Sequence, residues 1–237
     1  MTLERALELA GERGVKLGIA EHGGCREGMK NDAEMKRYIE SLSGQPVYKG
    51  MQAEGLDWMQ CFSKDFVAQL DFVLADALTF PEEDGHVVRL WTPEAQIRDP
   101  QDFMERYVAF NVQVISREPI DIFANPTFLP EGIAKDYDAL WTDARMNKVI
   151  DAAVRYGVAI EINSRYSIPS LKFLRVAKDA GAKFSFGSNA HGEGVGKLDY
   201  SVKTAKELGL TPSDMFMPAP PDRKPILRRT LPAEKIR

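Results

Sequence analysis

The chain has 237 residues, enough for one large domain with a substantial core. Its 44% hydrophobic and 28% charged residues are the balance of an ordinary globular protein, and a formal charge of −4 speaks against a general nucleic-acid binder, which is usually basic. No apolar run approaches the roughly 18 residues of a membrane span, and Met1 to Ala6 read as the first turn of a helix rather than as a signal peptide. Cys25 and Cys61 are the only cysteines and do not form a CxxC pair, so a structural zinc site is not expected and a reducing cytoplasm is the expected compartment.

In chain order, residues 3–12 carry a helical pattern and residues 15–20 a strand-like apolar run. That run ends in Glu21-His22-Gly23-Gly24. A histidine followed by two glycines at a strand end can approach a ligand or metal closely, although a plain surface turn reads the same way. Residues 32–41 are helical. A second strand over 47–53 ends in Gln52 and Glu54, which share a face because strand side chains alternate. A carboxylate buried there needs a partner or a metal; the plainer alternative is a surface glutamate. The third strand, 72–77, carries Asp76 in an apolar setting, where it must be paired, hydrogen-bonded or metal-bound. Glu82 to His86 reads as a hairpin tip with His86 at the surface.

A helix over 99–117 leads into a strand over 120–124, closed by Asn125-Pro126. Asn125 can donate a hydrogen bond or ligate weakly, or simply start a turn. A helix over 142–156, capped by Gly157, leads into the strand 158–163. There Glu161 and Asn163 share a face and Arg165 follows; an acid, an amide and a guanidinium together suit a polar, anionic substrate. A helix over 168–180 leads into a strand over 183–187, which closes with Ser188-Asn189-Ala190-His191. Asn189 is a further substrate-facing candidate and His191 a second candidate ligand. A helix over 200–208 follows. Residues 1–216 read as one domain. Residues 217–237, rich in proline and basic side chains, read as a solvated tail that wraps the domain or is left disordered, an anion-binding arm being the lesser alternative.

Alternating strands and helices imply a parallel sheet or barrel, and such folds bind ligands at the carboxyl ends of their strands. Six strand-like runs in succession end in polar candidates. The chain opens on a helix, whereas a right-handed β/α unit reaches its helix from a preceding strand. Either the fold starts on a helix or an initial strand is missing. An uncovered strand edge invites pairing with another chain, so a homo-oligomer is expected.

With these residues in place the chain resembles the PHP family, named for polymerase and histidinol phosphatase. Gly18 to His22 resembles the family's threonine-aspartate-histidine motif, with His22 at its histidine. Gly50 to Glu54 resembles its glycine-x-glutamate motif, with Gln52 at the matching position and Glu54 displaced by two. Asp71 to Leu78 resembles a run that ends in a histidine absent here. Asn125-Pro126 stands where the family has histidine-proline. Val158 to Asn163 resembles its glutamate-x-asparagine strand. Ser188 to His191 resembles serine-aspartate-alanine-histidine with asparagine for aspartate. Nothing matches the histidine-x-histidine of the family's first strand.

The resemblance implies a distorted TIM-like (β/α)7 barrel in the α/β class, here without its first strand. It also implies divalent metal, zinc or manganese, at the strand ends. With three histidines in all, at most one or two ions are expected, on His22, Glu54, Asp76 and His191. Gln52, Asn125, Glu161, Asn163, Arg165 and Asn189 would hold substrate. The function implied is a metal-dependent hydrolase of a phosphate ester or similar small anion, with neither nucleic acid nor membrane as partner. The alternative is a catalytically degenerate barrel that binds a ligand or a protein.

Overall fold

The structure is a computed structural model that describes residues 1–82 and 84–228. The chain begins with α1 (Leu3–Glu12), capped by Thr2, whose hydroxyl accepts from Arg5 N at 3.2 Å. Then come β1 (Leu17–Gly23), α2 (Asp32–Ser41), β2 (Val47–Glu54) and β3 (Phe72–Asp76). An antiparallel hairpin, Thr79–Pro81 with Val87–Arg89, precedes α3 (Pro100–Arg117). The rest alternates regularly: β4 (Ile122–Phe123), α4 (Asp143–Tyr156), β5 (Ala159–Asn163), α5 (Leu171–Asp179), β6 (Phe184–Gly187) and α6 (Asp199–Leu208).

The six strands form one parallel sheet in the order β1-β2-β3-β4-β5-β6, curled into a half-barrel. Every strand is therefore read from the same end, and all six carboxyl ends emerge on one side. Alternate residues divide the two faces. Met51, Ala53, Val73, Ala75, Ile160 and Ile162 point outward into the main core, where they pack with Phe103, Tyr107, Trp141, Val149 and Phe173 from the helical layer. The intervening residues point inward, where Phe72, Ile122 and Ala159 pack with Ala20, Leu74 and Phe216.

β1 and β6 are the two edges of this sheet. α1 bridges them. Its Ala6 and Leu9 pack with Leu17 of β1 and with Ala190 and Val195 beyond β6. Arg13 donates to the carbonyls of Val195 and Glu193, and Arg5 pairs with the Glu193 carboxylate at 2.7 Å.

After α6, Phe216 N donates to Phe184 O at 2.7 Å, so the chain returns along β6. Lys224 donates to Asp71 O at 2.5 Å and Ile226 is buried in the main core. The expected solvated tail thus packs against the domain at these two positions, and its residues 229–237 lie outside the described residues. His86 is exposed beside the hairpin, as expected. Cys25 and Cys61 are joined as a disulfide, a pairing that the sequence reading did not anticipate. Among the described residues no helix is long and apolar enough to cross a membrane.

Candidate functional site

The inward alternation of β2, β3 and β5 delivers Gln52, Asp76, Glu161 and Asn163 to the carboxyl end of the half-barrel. Parallel register sets Glu54 beside Asp76, His22 beside Gln52, and Asn163 beside Gly187. Asn125, just past β4, adopts a left-handed φ of 48°, which ends the strand and turns its side chain back over the layer.

These groups form one hydrogen-bonded chain. Asp76 Oδ2 accepts from Gln52 Nε2 and from Asn125 Nδ2, each at 3.1 Å, and Asp76 Oδ1 accepts from Leu78 N at 3.0 Å. Glu161 Oε2 accepts from Asn125 N at 2.8 Å and from Asn163 Nδ2 at 3.1 Å. Asn163 Nδ2 also reaches Asn125 Oδ1 at 2.9 Å, and Asn163 Oδ1 accepts from Tyr166 N at 3.1 Å. Asn125 and Asn163 each act in both directions, Gln52 only donates, and neither carboxylate is left without donors. Glu161 Oε1 stands against Gly187, where any Cβ would run into it.

Burial disfavours the charged form of an acid, and both carboxyls feel it. Desolvation raises the Asp76 pKa, opposed by its hydrogen bonds from Leu78 and Asn125. Desolvation likewise raises Glu161, opposed by the Asn125 and Asn163 donors. Glu54 is raised by burial and then by Asp76, with Arg26 opposing. Tyr107, on α3, is fully buried, and its hydroxyl is pushed well up by burial and by the nearby Asp76 charge.

Above this layer stand the two histidines. The His22 and His191 rings are stacked, 6.1 Å between centroids and 17° apart in plane. His22 Nδ1 is buried without a hydrogen-bond partner. His191 is held below the usual imidazole pKa, first by burial and then by His22 and Arg165. Arg165 donates to Asn189 O at 3.1 Å, and Asn189 has a left-handed φ of 43°. A cavity of about 710 Å³ opens beneath, lined near the mouth by His22, Gln52, Asn125, Glu161, Asn189 and His191 and deeper by Phe72, Leu74 and Ile122. A separate groove of about 540 Å³ between α3 and α4, lined by Glu105, Val108, Lys148 and Arg155, holds none of these strand-end groups.

In this fold the chain is similar to a histidinol phosphate phosphatase. The structure of that enzyme from Lactococcus lactis, in complex with zinc, L-histidinol and phosphate, superposes with a TM-score of 0.59 at 14% identity, over 89% of this chain and 88% of that one. An archaeal ribonuclease P structure with mature tRNA aligns at a TM-score of only 0.42 and 14% identity, over 88% and 87% of the two chains, too distant to carry an argument. No family model matches the chain and no curated protein sequence does. The likeness to the phosphatase is one of fold.

The sequence-derived candidates therefore separate into two sets. His22, Gln52, Asn125, Glu161, Asn189 and His191 line one cavity, and Asp76 and Asn163 back it through the amide chain. Glu54 lies beside Asp76 and feels the Arg26 charge, and it is not among the residues that line the cavity. Among the described residues no three histidines, cysteines, aspartates or glutamates converge as an ion-holding group. The donor chemistry agrees. Both oxygens of Asp76 already accept from N–H donors, and Glu54 sits beside Asp76 on the next strand. What remains is a histidine pair. Sequence reasoning passed over Tyr107, which looks like any apolar position on its helix, and the Cys25–Cys61 bond beside the site.

Proposed function

We propose that the chain is a hydrolase of the PHP type, acting on a small anionic molecule, a phosphate ester first among them, at the mouth formed by the strand ends. The observation that supports it most is Glu161: 7% exposed, its pKa raised by burial, and its Oε1 at the wall of the cavity. A carboxyl in that state keeps its proton closer to neutral pH than a surface acid does, which suits it to protonate a leaving group. Asn125 and Asn163 hold the other oxygen and so fix where that proton points. Arg165 and neutral His191 at the rim provide donors to orient an anionic group, and the apolar walls exclude water around it. Zinc or manganese enters this proposal only as an ion on the His22–His191 pair. No step above depends on it.

A second reading is favoured by the amide chain. Asp76 and Glu161 are already satisfied by amide donors, which is how a barrel kept for binding alone would settle its buried acids. The test is turnover of p-nitrophenyl phosphate, with and without added zinc or manganese, by the wild type, Glu161→Gln and His191→Ala. Turnover that both variants lower at least tenfold supports the hydrolase. No turnover, with inorganic phosphate shifting the His191 imidazole resonance, supports the binding role. Neither turnover nor a shift overturns both.

A further inference from the structure

Cys25 and Cys61 are the only cysteines in the chain, and the fold joins them, with Cα atoms 5.5 Å apart. Their placement is specific. Cys25 lies in the loop that leaves β1 directly after His22. That loop closes on the backbone of His22 itself: Met29 N donates to His22 O at 2.8 Å, and Gly24 N donates to Met29 O at 2.9 Å. Gly28 turns it with a φ of 65°, packed so closely on the His22 carbonyl that no side chain fits. Cys61 ends the turn Trp58–Cys61, in the segment that leaves β2 after Glu54. Cys25 Sγ lies 3.8 Å from Asp57 O and 4.0 Å from Trp58 O. The bond therefore ties the loop behind His22 to the loop behind Glu54, on adjacent strands at the same end of the sheet. Cys25 is exposed and Cys61 half-buried, so an incoming thiolate reaches Cys25 first.

We infer that the Cys25–Cys61 disulfide is a redox latch on the mouth of the half-barrel. Closed, it holds the His22 loop and with it the His22–His191 stack. Opened, it releases the loop and the two rings lose their fixed relation. The opening step is thiol–disulfide exchange with a dithiol. The reductant's thiolate attacks Cys25 Sγ and forms a mixed disulfide, and Cys61 leaves as a thiolate and takes up a proton. The second thiol of the reductant then displaces Cys25. Two electrons and two protons pass to the protein, giving two thiols, and the reductant leaves as its own disulfide. This holds whatever the mouth binds.

The test has two parts. Peptide mapping without reductant, on protein exposed to glutathione disulfide, is expected to give a linked Cys25–Cys61 peptide, and dithiothreitol two alkylatable thiols. Two free thiols before reduction would overturn the latch. In imidazole NMR spectra, the His22 and His191 resonances are expected to shift and broaden on reduction, while the indole N–H of Trp141, bonded to Thr127 O at 3.0 Å elsewhere in the core, stays in place. Cys61→Ser should show the reduced spectrum without reductant and ignore dithiothreitol. Cys25→Ser, at the exposed partner, does the same if the first variant fails to fold. Imidazole resonances that do not respond to reduction would overturn the inference even where the disulfide is present.

Discussion

Replacing Asn163 by alanine tests the amide chain most directly. Asn163 is fully buried and its side chain makes three hydrogen bonds: to Asn125 Oδ1 at 2.9 Å, to Glu161 Oε2 at 3.1 Å, and from Tyr166 N at 3.1 Å. A neutral hydrogen bond contributes about 1 kcal/mol net, and one to a charged group about 1.5–3 kcal/mol, so losing two of the first kind and one of the second costs roughly 3.5–5 kcal/mol. For a chain of this length each 1 kcal/mol moves the Tm by about 2–4 °C, which gives a fall of roughly 7–20 °C. Urea unfolding followed by circular dichroism measures it. Asn163→Asp sharpens the test, because it keeps the acceptor for Tyr166 N but sets a second carboxylate against Glu161; its loss should exceed that of the alanine variant and shrink as the pH falls. A double-mutant cycle with Asn125→Ala should return a coupling of about 0.5–3 kcal/mol. A loss under about 1 kcal/mol with no coupling would refute the view that these amides hold the buried acids.

Three further outcomes are expected. Asp76 and Glu161 have folded pKa values raised above their unfolded values of about 4, so their contribution to stability falls as pH rises from about 4 through the folded values. His191, lowered in the fold, costs stability as pH falls below about 6.5. Glu161→Gln should flatten the upper limb, whose slope is at most about 1.4 kcal/mol per pH unit per proton, when urea midpoints are compared in high salt; an unchanged slope would contradict the assignment. Gly187→Ala should cost about 1–3 kcal/mol by displacing the Glu161 carboxyl, read as a lowered Tm together with lost activity or ligand binding. Removing the disulfide, which spans 36 positions, should lower stability by about 4 kcal/mol in denaturant titrations, or less if the unfolded chain keeps structure there.

Helices and the alternation of the strands were legible in the sequence because local rules set them. The expected helices at 3–12 and 32–41 coincide with α1 and α2, each closed at its start by a capping side chain, Thr2 and Asn31. The first strand was expected over 15–20 but runs over Leu17–Gly23. Val15 N is still bonded to Ala10 O at the helix end, and the polar residues Glu21 to Gly23 pair with Met51 to Ala53 through backbone groups that hydropathy does not reveal. The strand expected over 120–124 shortens to two residues. Asp121 instead exchanges bonds with Val73 through its backbone and its side chain, and Asn125 turns away. Candidates that share one cavity could be named because strand ends gather polar groups. That amides would satisfy the acids could not be read, since it depends on how far the sheet curls. The disulfide was illegible for the same reason: spacing rules out a CxxC motif but says nothing about two loops meeting on adjacent strands.

The way α1 straddles β1 and β6 bears on how the half-barrel breathes. The two sheet edges are joined there by a small patch, Ala6, Leu9, Leu17, Ala190 and Val195, by Arg13 on the carbonyls of Val195 and Glu193, and by one exposed ion pair, Arg5–Glu193, that salt weakens. Everything else in the sheet is cross-linked strand to strand. Local opening should therefore start along this one line, as a cuff opens at its fastening. Amide hydrogens of α1 and of residues 190–196 should exchange before those of β3 to β5, and faster still in high salt. A ligand with no other way to the deep apolar wall at Phe72 and Ile122 would enter by that line.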